Sequence, residues 1–106
     1  MENNRDVFRP VHPGEILKEE FLVPLDISQN KLALSMRVPP QMISDIVNEK
    51  RSITAETALR LASVIGTTPQ FWMSLQMNYD LKTKMNEKGE EINRQVEPIQ
   101  VCFENA

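Results

Sequence analysis

The chain has 106 residues, of which 41% are hydrophobic, so it is long enough for one compact domain with short tails. The single cysteine, Cys102, and the lack of Cys/His clusters or long apolar runs argue against a disulfide, a metal or other cofactor, secretion and a membrane span, and favour a cytoplasmic setting. The formal net charge of −3 argues mildly against a nucleic-acid partner, because phosphate contacts need lysine and arginine.

The N-terminal part of the chain is predicted to contain an arm and a first helix. Residues 1–12 show no helical or strand period, which is typical of an arm. The helix is predicted to begin at Pro13, because proline suits a first turn and Glu15 lies beside the positive helix end. Pro24 ends the run. The apolar residues at helical spacing are Ile16, Leu17, Phe21 and Leu22.

Two short helices are predicted to follow, separated by a turn at residues 36–38. Ser28 is a favourable N-cap for the second helix, and Pro39 and Pro40 suit the start of the third. The inward faces of these helices are predicted to comprise Leu32, Ala33, Met36, Ile43, Ile46 and Val47. The outward face of the third helix carries Gln41, Ser44, Asp45 and Asn48.

A fourth and a fifth helix are predicted in the remaining apolar sequence. Thr54 and Gly66 suit the two ends of the fourth helix. Its buried stripe is predicted to be Leu59, Ala62 and Ile65. Thr68-Pro69 is typical of the start of the fifth helix, which is expected to extend toward Lys88 and to be interrupted at Gly89. The broad apolar face of this helix consists of Phe71, Trp72, Leu75 and Tyr79.

The end of the chain is acidic. From residue 87 onward, two positive side chains face five negative ones, a local charge of −3. This tail is interpreted either as a solubilising appendage or as a surface for a protein partner. Alternation of Ile99, Val101 and Phe103 with polar residues is a weak strand signal. The predicted architecture is therefore all-α, with an arm at 1–12, a five-helix domain at 13–86 and a tail at 87–106.

The second and third predicted helices have the spacing of a helix-turn-helix motif. In such a motif the second helix places its N-terminal side chains in the major groove of DNA. Residues 28–60 carry five positive and three negative side chains, a local charge of +2. The predicted base contacts are Pro40, Gln41, Ser44 and Asp45. Gln41 suits adenine, and Asp45 either suits a cytosine amino group or orients a neighbour such as Arg37 or Lys31. The predicted DNA backbone contacts are Gln29, Arg37, Asn48, Lys50 and Arg51.

The same residues are also compatible with other interpretations. The two helices could be ordinary core helices, or a helix-turn-helix fold that has become a protein-interaction module. His12 is interpreted as a surface or capping residue, because no second histidine or cysteine lies nearby. The aromatic face indicates core packing or a dimer interface rather than a ligand site, and the dimer candidates are Phe71, Trp72, Leu75 and Tyr79. An enzyme is the least favoured class, because no pairing of a nucleophile with a base is evident.

Across residues 12–79 the sequence resembles the lambda-repressor-like helix-turn-helix superfamily and, more closely, the HigA antitoxins, also called virulence-associated protein I. The resemblance rests on the segments HPGEILKEEFL, SQNKLA, PPQMISDIVNEKRSIT, AETALRLASVIGTTPQFWMSLQ and NYDL. It implies an antitoxin that binds a small ribosome-dependent, mRNA-cleaving toxin of the RelE/HigB class. It also implies a homodimer that represses its own operon on a double-stranded DNA operator. The alternative is a stand-alone phage-type repressor without a toxin partner.

The chain departs from the family pattern at Arg37, Glu49 and Ser52, where the family usually has glycine. A non-glycine residue in a left-handed turn costs on the order of 1 kcal/mol, which a folded domain tolerates. Glu49 also places a negative charge near the phosphates, so we expect modest DNA affinity per subunit.

Overall fold

The computed structural model describes residues 9–100, which form five helices and no strand. The predicted all-α fold is therefore confirmed. The first helix, α1, begins as an α-helical turn, Pro13–Ile16, and continues as a π-helical segment, Leu17–Leu22. The other helices are α2 (Gln29–Met36), α3 (Pro40–Val47), α4 (Ala55–Ile65) and α5 (Pro69–Gln95). In the described part of the chain, no helix combines the length and apolar character needed to cross a membrane.

Local capping chemistry places the starts of three helices where the sequence predicts them. The hydroxyl oxygens of the predicted N-caps accept backbone N–H bonds of 3.0, 3.3 and 3.1 Å, at Ser28, Thr54 and Thr68 respectively. These bonds satisfy first-turn N–H groups that have no partner within the helix. Short-range sequence is therefore sufficient to start α2, α4 and α5.

The core lies between the five helices, and the predicted inward faces of α2 and α3 are confirmed as buried. The predicted stripe on α4 is wrong at Leu59, whose side chain is 58% exposed. Ala58 and Leu61 are fully buried instead. The buried side of α4 is set by its contacts with α2 and α5, and those contacts select residues 57, 58, 61 and 62.

The fifth helix is longer than predicted. It continues through Gly89 and ends at Gln95, so the predicted interruption is wrong and the predicted boundary between 86 and 87 lies inside α5. Glycine in a helix interior costs only about 0.5–1 kcal/mol, which neighbouring turns can offset. Ion pairs of 3.4 Å (Lys84 with Glu87) and 4.0 Å (Arg94 with Glu90) lie on either side of Gly89.

The two predicted tails are only partly described. Residues 96–100 have no regular secondary structure, and Ile99 is 81% exposed. The other two apolar positions of the predicted strand, Val101 and Phe103, lie outside the described residues, as does most of the predicted arm, residues 1–8.

His12 is part of the folded domain rather than of the arm. Its Nδ1 atom accepts a 2.9 Å hydrogen bond from the Gly14 N–H and so caps α1. The imidazole is only 3% exposed, and its centroid lies 4.8 Å from that of the Tyr79 ring. The predicted capping role is confirmed, whereas a surface position is wrong.

Acid should destabilise the domain through His12. Burial lowers the pKa of His12 below its ordinary value, although the carboxylates of Glu49 and Asp80 act in the opposite direction. Because the folded pKa is the lower one, the contribution to stability is complete above about pH 6.5 and is lost as the pH falls through the folded pKa. We expect urea unfolding to show that the free energy of unfolding falls with pH in the wild type. The fall should be smaller in His12→Asn, because asparagine keeps a capping oxygen but does not titrate. Equal losses would exclude His12 as the cause.

Candidate nucleic-acid interface

The solvent-facing side of α3 carries the residues that the sequence predicts as base contacts. Pro39 caps this helix in an extended conformation, and buried Ile43 and Ile46 hold its opposite side against the core. Pro40 and Gln41 are exposed, and Ser44 and Asp45 are half-buried. The structure thus brings all four predicted residues to one surface at the first two turns of α3.

Two hydrogen bonds link polar side chains along this surface. Gln41 Nε2 donates to Asp45 Oδ1 at 2.8 Å, and Asn48 Nδ2 donates to Ser44 Oγ at 3.3 Å. The predicted orienting role of Asp45 is therefore directed at Gln41 rather than at Arg37 or Lys31.

The start of α2, where Gln29 lies, has the geometry of an anion site. The first backbone bond of the helix runs from Leu32 N to Ser28 O, at 3.0 Å. The N–H groups of Gln29 and Asn30 precede that bond, at the positive end of the helix dipole. Gln29 itself is half-buried. Such an N-terminus suits a phosphate.

Positive side chains lie before and after α3. Arg37 precedes the helix, Lys50 and Arg51 follow it, and all three are exposed. Asn48, also a predicted backbone contact, is exposed at the C-terminal end of α3. The exposed carboxylate of Glu49 lies among them and opposes their attraction for phosphate. The net positive character of this surface is therefore weak.

The turns that frame α2 and α3 use non-glycine residues in the left-handed conformation. The φ angles are 60° at Arg37 and 64° at Glu49, whereas Ser52 has no positive φ. The next residue in each turn donates back to the helix, from Val38 N to Ala33 O at 3.0 Å and from Lys50 N to Asp45 O at 2.8 Å. Arg37 and Glu49 thus occupy the left-handed position at the end of a helix, where glycine is the usual residue. Two of the three departures from the family pattern therefore carry backbone strain.

Glycine substitutions at these two turns should separate strain from charge. We expect Glu49→Gly and Arg37→Gly each to stabilise the domain by up to about 1 kcal/mol, because each relieves a left-handed side chain. Glu49→Gly should also tighten binding to any DNA duplex, since it removes a negative charge, whereas Arg37→Gly should weaken it. Urea unfolding and fluorescence anisotropy measure the two effects. If both variants changed DNA affinity in the same direction, the charge argument would fail.

Three residues that support this surface were missed by the sequence analysis. Arg60 Nη1 donates to the Met36 carbonyl at 2.9 Å and so closes the C-terminal end of α2. Gln76 is 5% exposed, and its Oε1 accepts from the Ile53 N–H at 2.7 Å, in the loop after α3. Gly14 packs against the α3 backbone at Ile46. The i,i+4 spacing of Glu56 and Arg60 indicates only a surface pair, and local sequence contains no signal for the contacts of Gln76 and Gly14.

The predicted dimer residues divide into core and surface. Trp72 is fully buried, and its Nε1 donates to Thr67 Oγ1 at 2.7 Å, so the prediction that it lies in a dimer interface is wrong. It has no surface to offer a second chain, because α5 closes the core with this side chain. Phe71 is 39% exposed, and Leu75 and Tyr79 are half-buried.

Comparisons with known proteins agree with this geometry. Residues 17–72 match a family model described as helix-turn-helix. Virulence-associated protein I of Dichelobacter nodosus is 47% identical over 78 residues, which are 74% of this chain and 72% of that protein. Antitoxin HigA-1 of Vibrio cholerae is 39% identical over 98 residues, covering 92% and 91% of the two chains. The solved structure of Pseudomonas aeruginosa antitoxin HigA with the higBA promoter is 44% identical, with a TM-score of 0.83 over 87% of this chain and 100% of that one.

Proposed function

The chain belongs to the HigA-type antitoxins of the lambda-repressor-like helix-turn-helix superfamily, and we propose that it represses its own operon and neutralises a toxin. The members of this group are DNA-binding regulators rather than enzymes. The toxin would be a small mRNA-cleaving protein of the RelE/HigB class. Both roles place the protein in the cytoplasm, with the operon and the ribosome.

The observation that carries the DNA-binding part is the exposed face of α3, flanked by positive side chains. The structural similarity to HigA bound to promoter DNA supports the same use of this face. We propose direct base contacts from Pro40, Gln41 and Ser44, with Asp45 beside them as the hydrogen-bond partner of Gln41. Contacts to the DNA backbone would come from Gln29, Arg37, Asn48, Lys50 and Arg51. Backbone contacts fix the register of the protein on DNA, and base contacts select the sequence.

We propose a homodimer, because two recognition helices must enter successive major grooves about 34 Å apart. The candidate surface is α5 without Trp72. It comprises the predicted Phe71, Leu75 and Tyr79 and, on a different side of the helix, a second set of apolar side chains. The exposed apolar side chains of this second set follow one another at intervals of four, four and seven residues, which places them on one side of α5, and such a stripe favours association. They are Met77 (54% exposed), Leu81 (55%), Met85 (65%) and Ile92 (42%).

The toxin-binding part is supported by the antitoxins among the relatives and by the acidic end of the chain. Glu87, Glu90 and Glu91 are exposed on the last turns of α5. A basic partner would be attracted to this region, because opposite potentials steer association.

Alanine substitutions at Lys50 and Arg51 should test the backbone contacts. Together they should weaken binding to every duplex and reduce the dependence of log K on log salt by about two per subunit, or roughly four in the dimer, since each phosphate contact contributes roughly 0.9. Lys84→Ala, on α5 and outside the proposed DNA surface, is the matched control and should leave the slope unchanged. An unchanged slope in the double variant would remove both residues from the interface.

Native mass spectrometry tests the toxin proposal directly. The tagged chain is expressed together with its flanking reading frames, purified and weighed. We expect a stoichiometric basic partner with the mass of one small domain. A bare homodimer, with the neighbouring proteins expressed and soluble, would contradict the antitoxin role and favour the stand-alone repressor.

A further inference from the structure

The hydrogen bond between Gln41 and Asp45 fixes which end of the Gln41 amide faces the carboxylate. Its donor is the amide nitrogen of Gln41 and its acceptor is a carboxylate oxygen of Asp45, 2.8 Å away. An ionised carboxylate can only accept hydrogen bonds. Asp45 therefore attracts the NH₂ end of the Gln41 amide and repels its carbonyl end. The two ends of this amide are no longer equivalent in what they offer a base.

The orientation decides which groups of Gln41 remain for DNA. An amide carries two N–H donors and one carbonyl acceptor, and Asp45 takes one donor. One N–H and the carbonyl oxygen remain, and both belong to an exposed side chain on the first turn of α3. Adenine presents an acceptor, N7, and a donor, its N6 amino group, in the major groove. The remaining pair matches adenine.

Guanine presents two acceptors, N7 and O6, at the same edge. To satisfy both, Gln41 would have to turn its NH₂ group toward the base, and its carbonyl oxygen would then face the Asp45 carboxylate. That arrangement is repulsive and loses the 2.8 Å hydrogen bond. Asp45 thus opposes the orientation of Gln41 that guanine requires.

We propose that Asp45 is a positioning residue that makes Gln41 a reader of adenine and a discriminator against guanine. The proposal rests on the proposed function, in which the exposed face of α3 reads operator DNA. Half-buried Asp45 acts through Gln41 and needs no base contact of its own. It differs in this respect from the direct cytosine contact that the sequence alone suggests.

Selection from a library of randomised DNA duplexes tests this role. Wild type, Asp45→Asn, Gln41→Ala and the double variant are each used to enrich duplexes, and the adenine-to-guanine ratio is compared at the base pair whose preference Gln41→Ala abolishes. Asparagine keeps the size and a hydrogen-bonding group at position 45, but its amide can accept or donate, so the polarity is lost. We expect Asp45→Asn to lower this ratio about tenfold, within the discrimination of a bidentate contact. It should have no further effect at this base pair once Gln41 is alanine.

Overall affinity separates positioning from a general loss of binding. Asp45→Asn removes a negative charge near the phosphates, so its affinity for arbitrary duplexes should stay equal or rise while the adenine preference falls. Glu49→Gln, which also removes a negative charge near the phosphates but no hydrogen bond to Gln41, is the control and should leave the adenine-to-guanine ratio at this base pair unchanged.

Two results would overturn the positioning role alone. One is a wild-type preference that Asp45→Asn leaves unchanged. The other is a loss at a different base pair that persists in the Gln41→Ala background, which would make Asp45 a base contact itself. A wild-type protein that enriches no sequence would overturn the proposed function and the positioning role together.

Discussion

Replacing Gly14 with alanine should cost the domain about 3 kcal/mol of unfolding free energy, at the upper end of the usual cost of overpacking. A Cβ at this position would overlap the carbonyl oxygen of Ile46 and lie 3.1 Å from His12 Nδ1. The first obstacle is backbone, so no rotamer change can relieve it. α1 and α3 would have to separate, and α3 carries the candidate DNA-reading surface. Specific DNA binding should therefore weaken together with stability.

Gly89→Ala is the matched control for this prediction. Its added Cβ would meet only Met85 Cβ, at an ordinary 3.8 Å, within the exposed part of α5. Glycine in a helix interior destabilises the fold by about 0.5–1 kcal/mol relative to alanine, so the unfolding free energy of this variant should rise slightly. Urea denaturation monitored by circular dichroism measures both. Wild-type stability in Gly14→Ala would show that α1 and α3 do not pack as closely as described.

Truncating Trp72 to alanine should cost about 3–5 kcal/mol, a large part of the total of about 5–15 kcal/mol for a domain. The indole is fully buried, and its centroid lies 4.9 Å from the ring of Phe71 and 5.4 Å from that of Phe21. Its removal also leaves the Thr67 hydroxyl, now bonded at 2.7 Å, without this partner.

Phe71→Ala is the comparison for Trp72→Ala, because Phe71 is the neighbouring ring but is 39% exposed. Its cost should be smaller in the isolated protomer and should depend on protein concentration if Phe71 lies in the dimer interface. The extra cost of Trp72→Ala should not depend on concentration, since its contacts lie within one chain. If the loss of unfolding free energy in Trp72→Ala disappeared at high protein concentration, Trp72 would be part of the dimer interface after all. Urea unfolding at two protein concentrations separates these cases.

The parts of the fold that the sequence predicts are those that local chemistry controls. Ser28, Thr54 and Thr68 start helices because their hydroxyls satisfy N–H groups three residues away. The helical period placed the inward faces of α2 and α3 correctly. The turn between them ends in an extended conformation at Pro39, because the following Pro40 disfavours the helical region there.

The parts that it did not predict depend on distant packing. Leu59 fits a helical stripe as well as Leu61 does, and only the positions of α2 and α5 decide which one is buried. Gly89 is a weak helix former that the surrounding helix tolerates.

The contacts that support the candidate site also could not be predicted from local sequence patterns. Arg60 reaches a carbonyl 24 residues away, and Gln76 binds an N–H 23 residues away. The residue types of the DNA surface were predictable from their place in α3. The pairing of Gln41 with Asp45 required side-chain geometry, because the helical spacing alone left Arg37 and Lys31 as alternatives for Asp45.

Whether α3 reads base sequence is tested by the binding of Gln41→Ala/Ser44→Ala to the promoter DNA of its own operon and to a shuffled duplex of the same length. We expect the double variant to lose roughly 10²–10³-fold in affinity for the promoter, since each base contact contributes about 1–3 kcal/mol of discrimination. Its affinity for the shuffled duplex should stay nearly constant, because the backbone contacts remain. Equal losses on both duplexes would contradict the assignment of α3 as the helix that reads the operator.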